Sequence, residues 1–224
     1  RRIVEDDYIG AIERLGQFVR FNPKHPQIND AKDLIEQCEQ RISFQAYTKG
    51  MDALKKNDLT NTGYWLKQAL DSKDENIKTL AKFQLDKIAR TLLDSVRVNL
   101  NNISLINAEK LVLKAKNYSN EFSVEADIIR GKIYLEQGDI LLQNEQYSRA
   151  LVKYQDAVKV SSDLFYLVNE KEKTLANAFL SDASKGFEHG ELIFIIESLK
   201  QSKELNPKTD KEYDELLVIL ENLK

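Results

Sequence analysis

Apolar and small residues recur along this chain in steps of three and four, with a regular interruption. Gly138 is followed nine residues later by Tyr147, then by Ala150, Tyr154 and Ala157. Steps of three and four place side chains on one face of a helix. The nine-residue gap has room for one helix end, a tight turn and the next helix start. The same offsets fit Gly50, Leu59, Thr62, Leu66 and Ala69, and again Ala183, Leu192, Ile195, Leu199 and Ser202. Near the start they fit Tyr8, Ala11, Leu15 and Phe18, and a looser copy reads Val96, Leu105, Ala108, Val112 and Ala115. Each copy predicts a helical hairpin closed along an apolar seam, whose small residues let two helices approach. The predicted turns are Lys56-Asn57-Asp58, Asn144-Glu145-Gln146 and His189-Gly190-Glu191.

Calling the first helix of each pair A and the second B, the small seam positions Ala11, Thr62, Ala108, Ala150 and Ile195 lie 51, 46, 42 and 45 residues apart. The stretch before each turn has few breakers: residues 30–57 contain no proline and one glycine, the seam residue Gly50. Residues 75–99 and 122–144 also lack proline, the first without glycine and the second with Gly131 and the seam residue Gly138. The A helices are therefore expected to be long, roughly six to seven turns. Ser72 with Glu75, and Thr209 with Glu212, have the spacing of a capping box. Asp30 is the expected N-cap of the next long helix. Asn22-Pro23 and Asn206-Pro207 are expected to stop B helices. Residues 209–223 carry Tyr213, Leu216, Leu217, Ile219 and Leu220 on one broad stripe and predict a final capping helix.

These hairpins resemble the tetratricopeptide repeat (TPR) family over nearly the whole chain, although the family period is about 34 residues. The resemblance implies an all-α fold, a right-handed α-solenoid of TPR-like hairpins with extended A helices. It divides residues 1–224, as one solenoid, into a partial repeat 1–29, repeats 30–73, 74–119, 120–163 and 164–207, and a capping helix 208–224. In that family the A helices line a concave groove that holds peptides. Carried over by offset, the groove candidates are Tyr47 and Met51, then Arg90, Asp94 and Arg97. Lys132, Glu136 and Asp139 follow in the next copy, and Asn177, Ser181 and Ser184 in the last. One subset of the family clamps the terminal carboxylate of chaperone tails with lysine and asparagine. Here the clamp positions hold Tyr47, Met51, Asp94, Lys132 and Glu136, and only Lys132 matches, so tail binding of that kind is not expected.

Composition narrows the remaining choices. The chain of 224 residues has 33 Lys and Arg against 36 Asp and Glu, a formal net charge of −3, which disfavours a general nucleic-acid binder. Apolar residues make up 42%, enough for a packed core. No apolar run exceeds the length of 192–196, far shorter than the roughly 20 residues that span a bilayer, so no direct membrane insertion is expected. A single cysteine, Cys38, permits no internal disulfide and reads as a packed helix residue. His25 and His189 lie in expected turns without an orienting carboxylate nearby in sequence. No zinc-ligand spacing occurs, and Gly131-Lys132 lacks the earlier glycine of a phosphate loop. No catalytic residue, metal or cofactor is therefore expected.

Tyr64 and Trp65, the latter the one tryptophan, lie on a B helix off the seam and are expected to pack in the core. Lys-, Ile- and Asn-rich usage points to a bacterial source. Residues 1–5 fall where half an A helix belongs, and the chain starts without Met, so it is expected to be a piece of something longer. The expected function is a non-catalytic scaffold that binds a protein or peptide. The alternatives are an assembly subunit of a larger complex and a helical regulatory domain of a longer protein.

Overall fold

A computed structural model describes residues 7–100, 103–206 and 211–222. Among them are ten α-helices, a single 3-10 turn at Ser162–Leu164, and no strand. In chain order the helices are α1 (Tyr8–Phe21), α2 (Ile28–Lys55), α3 (Leu59–Leu70), α4 (Glu75–Asn99) and α5 (Leu105–Tyr118). They continue as α6 (Ser123–Gln143), α7 (Tyr147–Val160), α8 (Phe165–His189), α9 (Leu192–Leu205) and α10 (Lys211–Asn222). The helices pack neighbour to neighbour. The described residues fall into two compact units, one from Arg1–Thr91 and Ala115–Phe122, the other from Leu92–Lys114 and Ser123–Lys224.

Long and short helices alternate as the seam spacing predicts. The long ones, α2, α4, α6 and α8, have 28, 25, 21 and 25 residues. At 3.6 residues per turn α2 makes nearly eight turns, one more than expected. All five short helices α1, α3, α5, α7 and α9 begin on the seam residue itself: Tyr8, Leu59, Leu105, Tyr147 and Leu192. The seam is closed in four copies. Thr62, Leu66, Ala69, Ala108, Val112, Ala115, Ala150, Tyr154, Ala157 and Ser202 are fully buried, with Ile195 and Leu199 nearly so. In α1 only Ala11 is buried, while Leu15 and Phe18 are half-exposed.

Three of the long-to-short turns share one hydrogen-bond pattern. Asn57, Glu145 and Gly190 have φ of 58°, 57° and 72°, in the left-handed region. The next residue's N–H, at Asp58, Gln146 and Glu191, donates five residues back to Ala53, Leu141 and Gly186 at 2.9, 2.9 and 3.0 Å. The left-handed residue itself donates to Leu54, Leu142 and Phe187. This is a Schellman motif, which satisfies carbonyls orphaned at a helix end. Asp58, Gln146 and Glu191 are at the same time the N-caps of the next helix. The whole connection thus takes three residues in the first two turns and two in the third.

In the first unit α1 packs on α2 and α2 on α3. A Cβ at Gly50 would lie 2.8 Å from Leu66, so the absent side chain sets how closely α2 and α3 approach. Tyr118 covers Gly63 and donates its hydroxyl to the Leu59 carbonyl, and Lys67 bonds Asn117 at 2.8 Å. Lys73 pairs with Glu39 at 2.5 Å. Cys38 is buried, and burial pushes its thiol pKa up, which favours the inert thiol form.

In the second unit α6 packs on α7, α7 on α8, α8 on α9, and α9 on α10. Tyr134, Leu135, Ala150, Tyr154, Ala157, Leu164, Val168, Leu175 and Phe179 form one cluster. Ala183, Ile195, Ile196, Leu199, Leu217 and Leu220 form another. Gly138 makes room for the Tyr154 ring. The phenol of Tyr154 donates to Asp139 at 2.8 Å, and Lys171 completes the carboxylate at 2.5 Å. Burial first, and the Asp139 bond second, hold the Tyr154 pKa well above the usual phenol range.

Several end signals act differently from their sequence reading. The helix α2 begins at Ile28, so Asp30 sits inside its first turn, where it favours the dipole, and does not cap it. Pro26 and the bond from the Gln27 N–H to His25 Nδ1 at 3.2 Å set that start. Before α4 the Ser72 hydroxyl accepts from Asp74 N–H at 3.1 Å, and Asp74 accepts from Asn76 N–H at 2.9 Å. Asp74 therefore caps the helix, while Glu75 pairs with Lys78 at 3.2 Å instead of closing a box. Asn22 ends α1 as expected, its N–H and side-chain amide both donating to the Phe18 carbonyl. In α10, Leu217 and Leu220 face inward but Ile219 is exposed. The expectations for residues 1–5, Pro207, Thr209 and Asp210, and for the side chains of His189, Glu212 and Tyr213, lie outside the described residues. No helix among the described residues is long and apolar enough to cross a membrane.

Candidate functional site

The groove candidates were placed by counting from the seam, and the burial of the seam fixes which face they occupy. Six residues before, two before and one after each A-helix seam residue lie Arg90, Asp94 and Arg97 on α4, Lys132, Glu136 and Asp139 on α6, and Asn177, Ser181 and Ser184 on α8. All nine except the half-buried Asp139 are exposed. On α2 the same count gives Phe44, Thr48 and Met51. Tyr47, named from sequence, is half-buried, as is Met51, whereas Phe44 and Thr48 are exposed. Phe44 and Thr48 were missed because the α2 register was counted three residues before Gly50. The uniform offset would have found them.

The candidates are not equally available to a partner. Within the second unit Arg97 bonds Asp94 at 3.4 Å and pairs with Glu125 of α6. Asp139 is held by Tyr154 and Lys171, so it braces α6, α7 and α8. Ser184 turns its hydroxyl back to the Leu180 carbonyl at 3.1 Å. Lys132, Glu136, Asn177 and Ser181 have no side-chain partner among the described residues, and in the first unit the same is true of Arg90. These five are the candidate side chains with hydrogen-bonding groups left to offer.

Clefts occur elsewhere. One of about 790 Å³ in the first unit is lined by Lys67, Lys82, Lys116, Asp86 and the α5 end through Glu121. Another, of about 580 Å³, lies at the α2–α3 turn against Trp65. Lys49 Nζ stands 4.6 Å from the Trp65 ring centre, a cation–π distance, and Tyr64 meets that ring edge-on at 5.0 Å. The expected core role of this pair is corrected: Tyr64 is 57% exposed and Trp65 half-buried. Two further clefts, of about 600 and 420 Å³, adjoin α9. None of the eleven sequence candidates lines any of these four.

Among the described residues no three His, Cys, Asp or Glu side chains gather as metal ligands would. Glu172 on α8 is half-buried and its carboxyl pKa is raised by burial. No protein-family model matches this chain. No curated protein matches it either.

Proposed function

We propose that this chain is a non-catalytic scaffold: a right-handed α-solenoid of TPR-like hairpins that binds a protein or peptide through the outward faces of its A helices. The observation that carries this reading is the repeated offset. In α4, α6 and α8 the same three counts from a buried seam reach polar side chains, all exposed but the half-buried Asp139. Such a ladder can hydrogen-bond an extended partner at regular intervals, while the seams keep it rigid. Lys132 and Glu136 are one turn apart on α6, carry opposite charges and lack other partners, so they are the side chains to change first.

The test exchanges those two charges. Lys132→Glu with Glu136→Lys preserves net charge and should leave the melting temperature within about 1–2 °C, since exposed substitutions have small effects. Captured partners from a native extract should then be lost relative to the unmodified chain. Identical capture by both proteins would remove this face from consideration. One feature favours the assembly reading: Val218 and Ile219 are exposed on the face of α10 turned from α9. Light scattering across a concentration series distinguishes that reading, because self-association lost on Val218→Ser would support it.

A further inference from the structure

We propose that the groove beside α9 in the second unit is a docking site for a basic amphipathic helix. Ser148 of α7, Phe179 of α8, and Phe194, Glu197, Ser198, Lys200 and Gln201 of α9 line one part. Glu191, Leu192 and Ile193 extend it over the start of α9. The two parts adjoin, with Phe194 and Glu197 bordering both. Five consecutive apolar residues, 192–196, open α9, and a helix cannot turn all five inward. Ile195 and Ile196 enter the core, which leaves Ile193 56% and Phe194 41% exposed.

These apolar groups stand on a fixed frame. A Cβ at Gly186 would come within 3.0 Å of the Phe194 ring, so that ring rests on the α8 backbone. Phe179 is held edge-on by Tyr147 at 5.5 Å between ring centres. Aromatic anchors already immobilised lose little entropy when a partner covers them. An apolar side chain entering between Phe179 and Phe194 would meet two rings and the Ser198 turn.

Charge selects the occupant. Glu191 and Glu197 have no side-chain partner among the described residues. Among the described residues Lys200 pairs with Glu221, Lys185 pairs with Asp182 and Glu145 at 3.2 and 3.3 Å, and Arg149, next to Ser148, bonds the Gln146 amide oxygen at 2.5 Å. Glu191 also favours the α9 dipole as its N-cap, but Glu197 lies beyond the first turn, where that effect has faded. The lining is therefore apolar with net negative charge. A second copy of this chain meeting it across a two-fold axis would set like charges against each other. A helix with apolar residues on one face and Lys or Arg beside them meets both requirements. Glu191 and Glu197 are six residues apart, about 9 Å along the axis, within reach of basic residues two turns apart on the occupant.

This surface does not involve Lys132 or Glu136, so it stands or falls separately from the A-helix face. The probe is a labelled amphipathic Leu/Lys helix of about four turns, followed by fluorescence anisotropy, with a Leu/Glu helix of the same pattern as counter-probe. The Leu/Lys helix should bind, and bind more weakly as salt rises. Ile193→Ser and Glu197→Lys should each lower its affinity at least about tenfold, and Glu197→Lys should improve binding of the Leu/Glu helix. Glu13→Lys, with the same change in net charge on the exposed face of α1, should change neither. Absence of binding overturns the proposal, as does an equal loss with Glu13→Lys, which would mean attraction to net charge alone. Self-association abolished by Ile193→Ser would instead assign the groove to a second copy. Because Ile193 is exposed, its substitution tests the groove even if Glu197→Lys perturbs folding.

Discussion

Glu145 occupies the left-handed turn position that Asn57 and Gly190 fill in the two equivalent turns. Asparagine tolerates that region and glycine has no Cβ to clash, but a glutamate there costs about 1–2 kcal/mol. Glycine loses part of this advantage through unfolded-chain entropy. The exposed pair of Glu145 with Lys185 contributes little. Glu145→Gly should therefore raise unfolding stability by roughly 0.5 kcal/mol, and a lowered urea midpoint would contradict the turn assignment. Glu172 gives a second residue-scale prediction. Its folded pKa is raised by burial, so the native state holds the proton more tightly than the unfolded chain. That contribution favours folding at low pH and is lost as pH rises through the folded pKa. Glu172→Gln should accordingly melt higher than the unmodified chain at pH 7, with the difference closing below about pH 4, where Glu172 is protonated in the folded and the unfolded chain alike. Melting curves at the two pH values decide it.

Between helices, the seam pairs residues by size: Gly50 opposite Leu66, and Gly138 opposite Tyr154. Gly138→Val would drive two methyls into the Tyr154 ring, a cost of about 1–3 kcal/mol by overpacking, read as a lower denaturation midpoint. Ala150→Asp would place a carboxylate at a fully buried site in the same hairpin and should cost more, above about 4 kcal/mol. An unchanged melt would remove Ala150 from the seam. The five short-helix starts were legible in the sequence because each stands three residues, about one turn, before a buried seam position, Ala11, Thr62, Ala108, Ala150 or Ile195. The caps at Asp30 and Ser72 were not, because a capping side chain, with or without a glutamate three residues on, says nothing of where the backbone turns. That was decided by Pro26 and His25 in one case and by Asp74 in the other. On the site, counting from the seam found exposed polar residues on α4, α6 and α8. It could not say that Asp139 is consumed by Tyr154 and Lys171, since Lys171 comes from the next hairpin. Ile193 and Phe194 were signalled by the run at 192–196, once the run is read for what a helix must leave outside.

At the scale of the molecule, burial is uneven along the chain. Only Ala11 of α1 is buried, whereas α9 buries Ile195, Ile196, Ser198, Leu199 and Ser202. Stability in helical arrays follows local and nearest-neighbour packing. Amides of α1 should exchange with deuterium before those of α3, α7 or α9, and equal protection would show one cooperative block. The tight turns carry a further consequence. Because Asp58, Gln146 and Glu191 each finish one rod and begin the next, inserting a residue there would undo a stop and a start together. Growth or shrinkage of a hairpin is thus confined to the far end of its longer arm. Lineages of such chains can then vary reach while the crossing of each pair stays constant, and a designer could extend the arm of α2 or α8 upstream by whole turns without re-solving the joint.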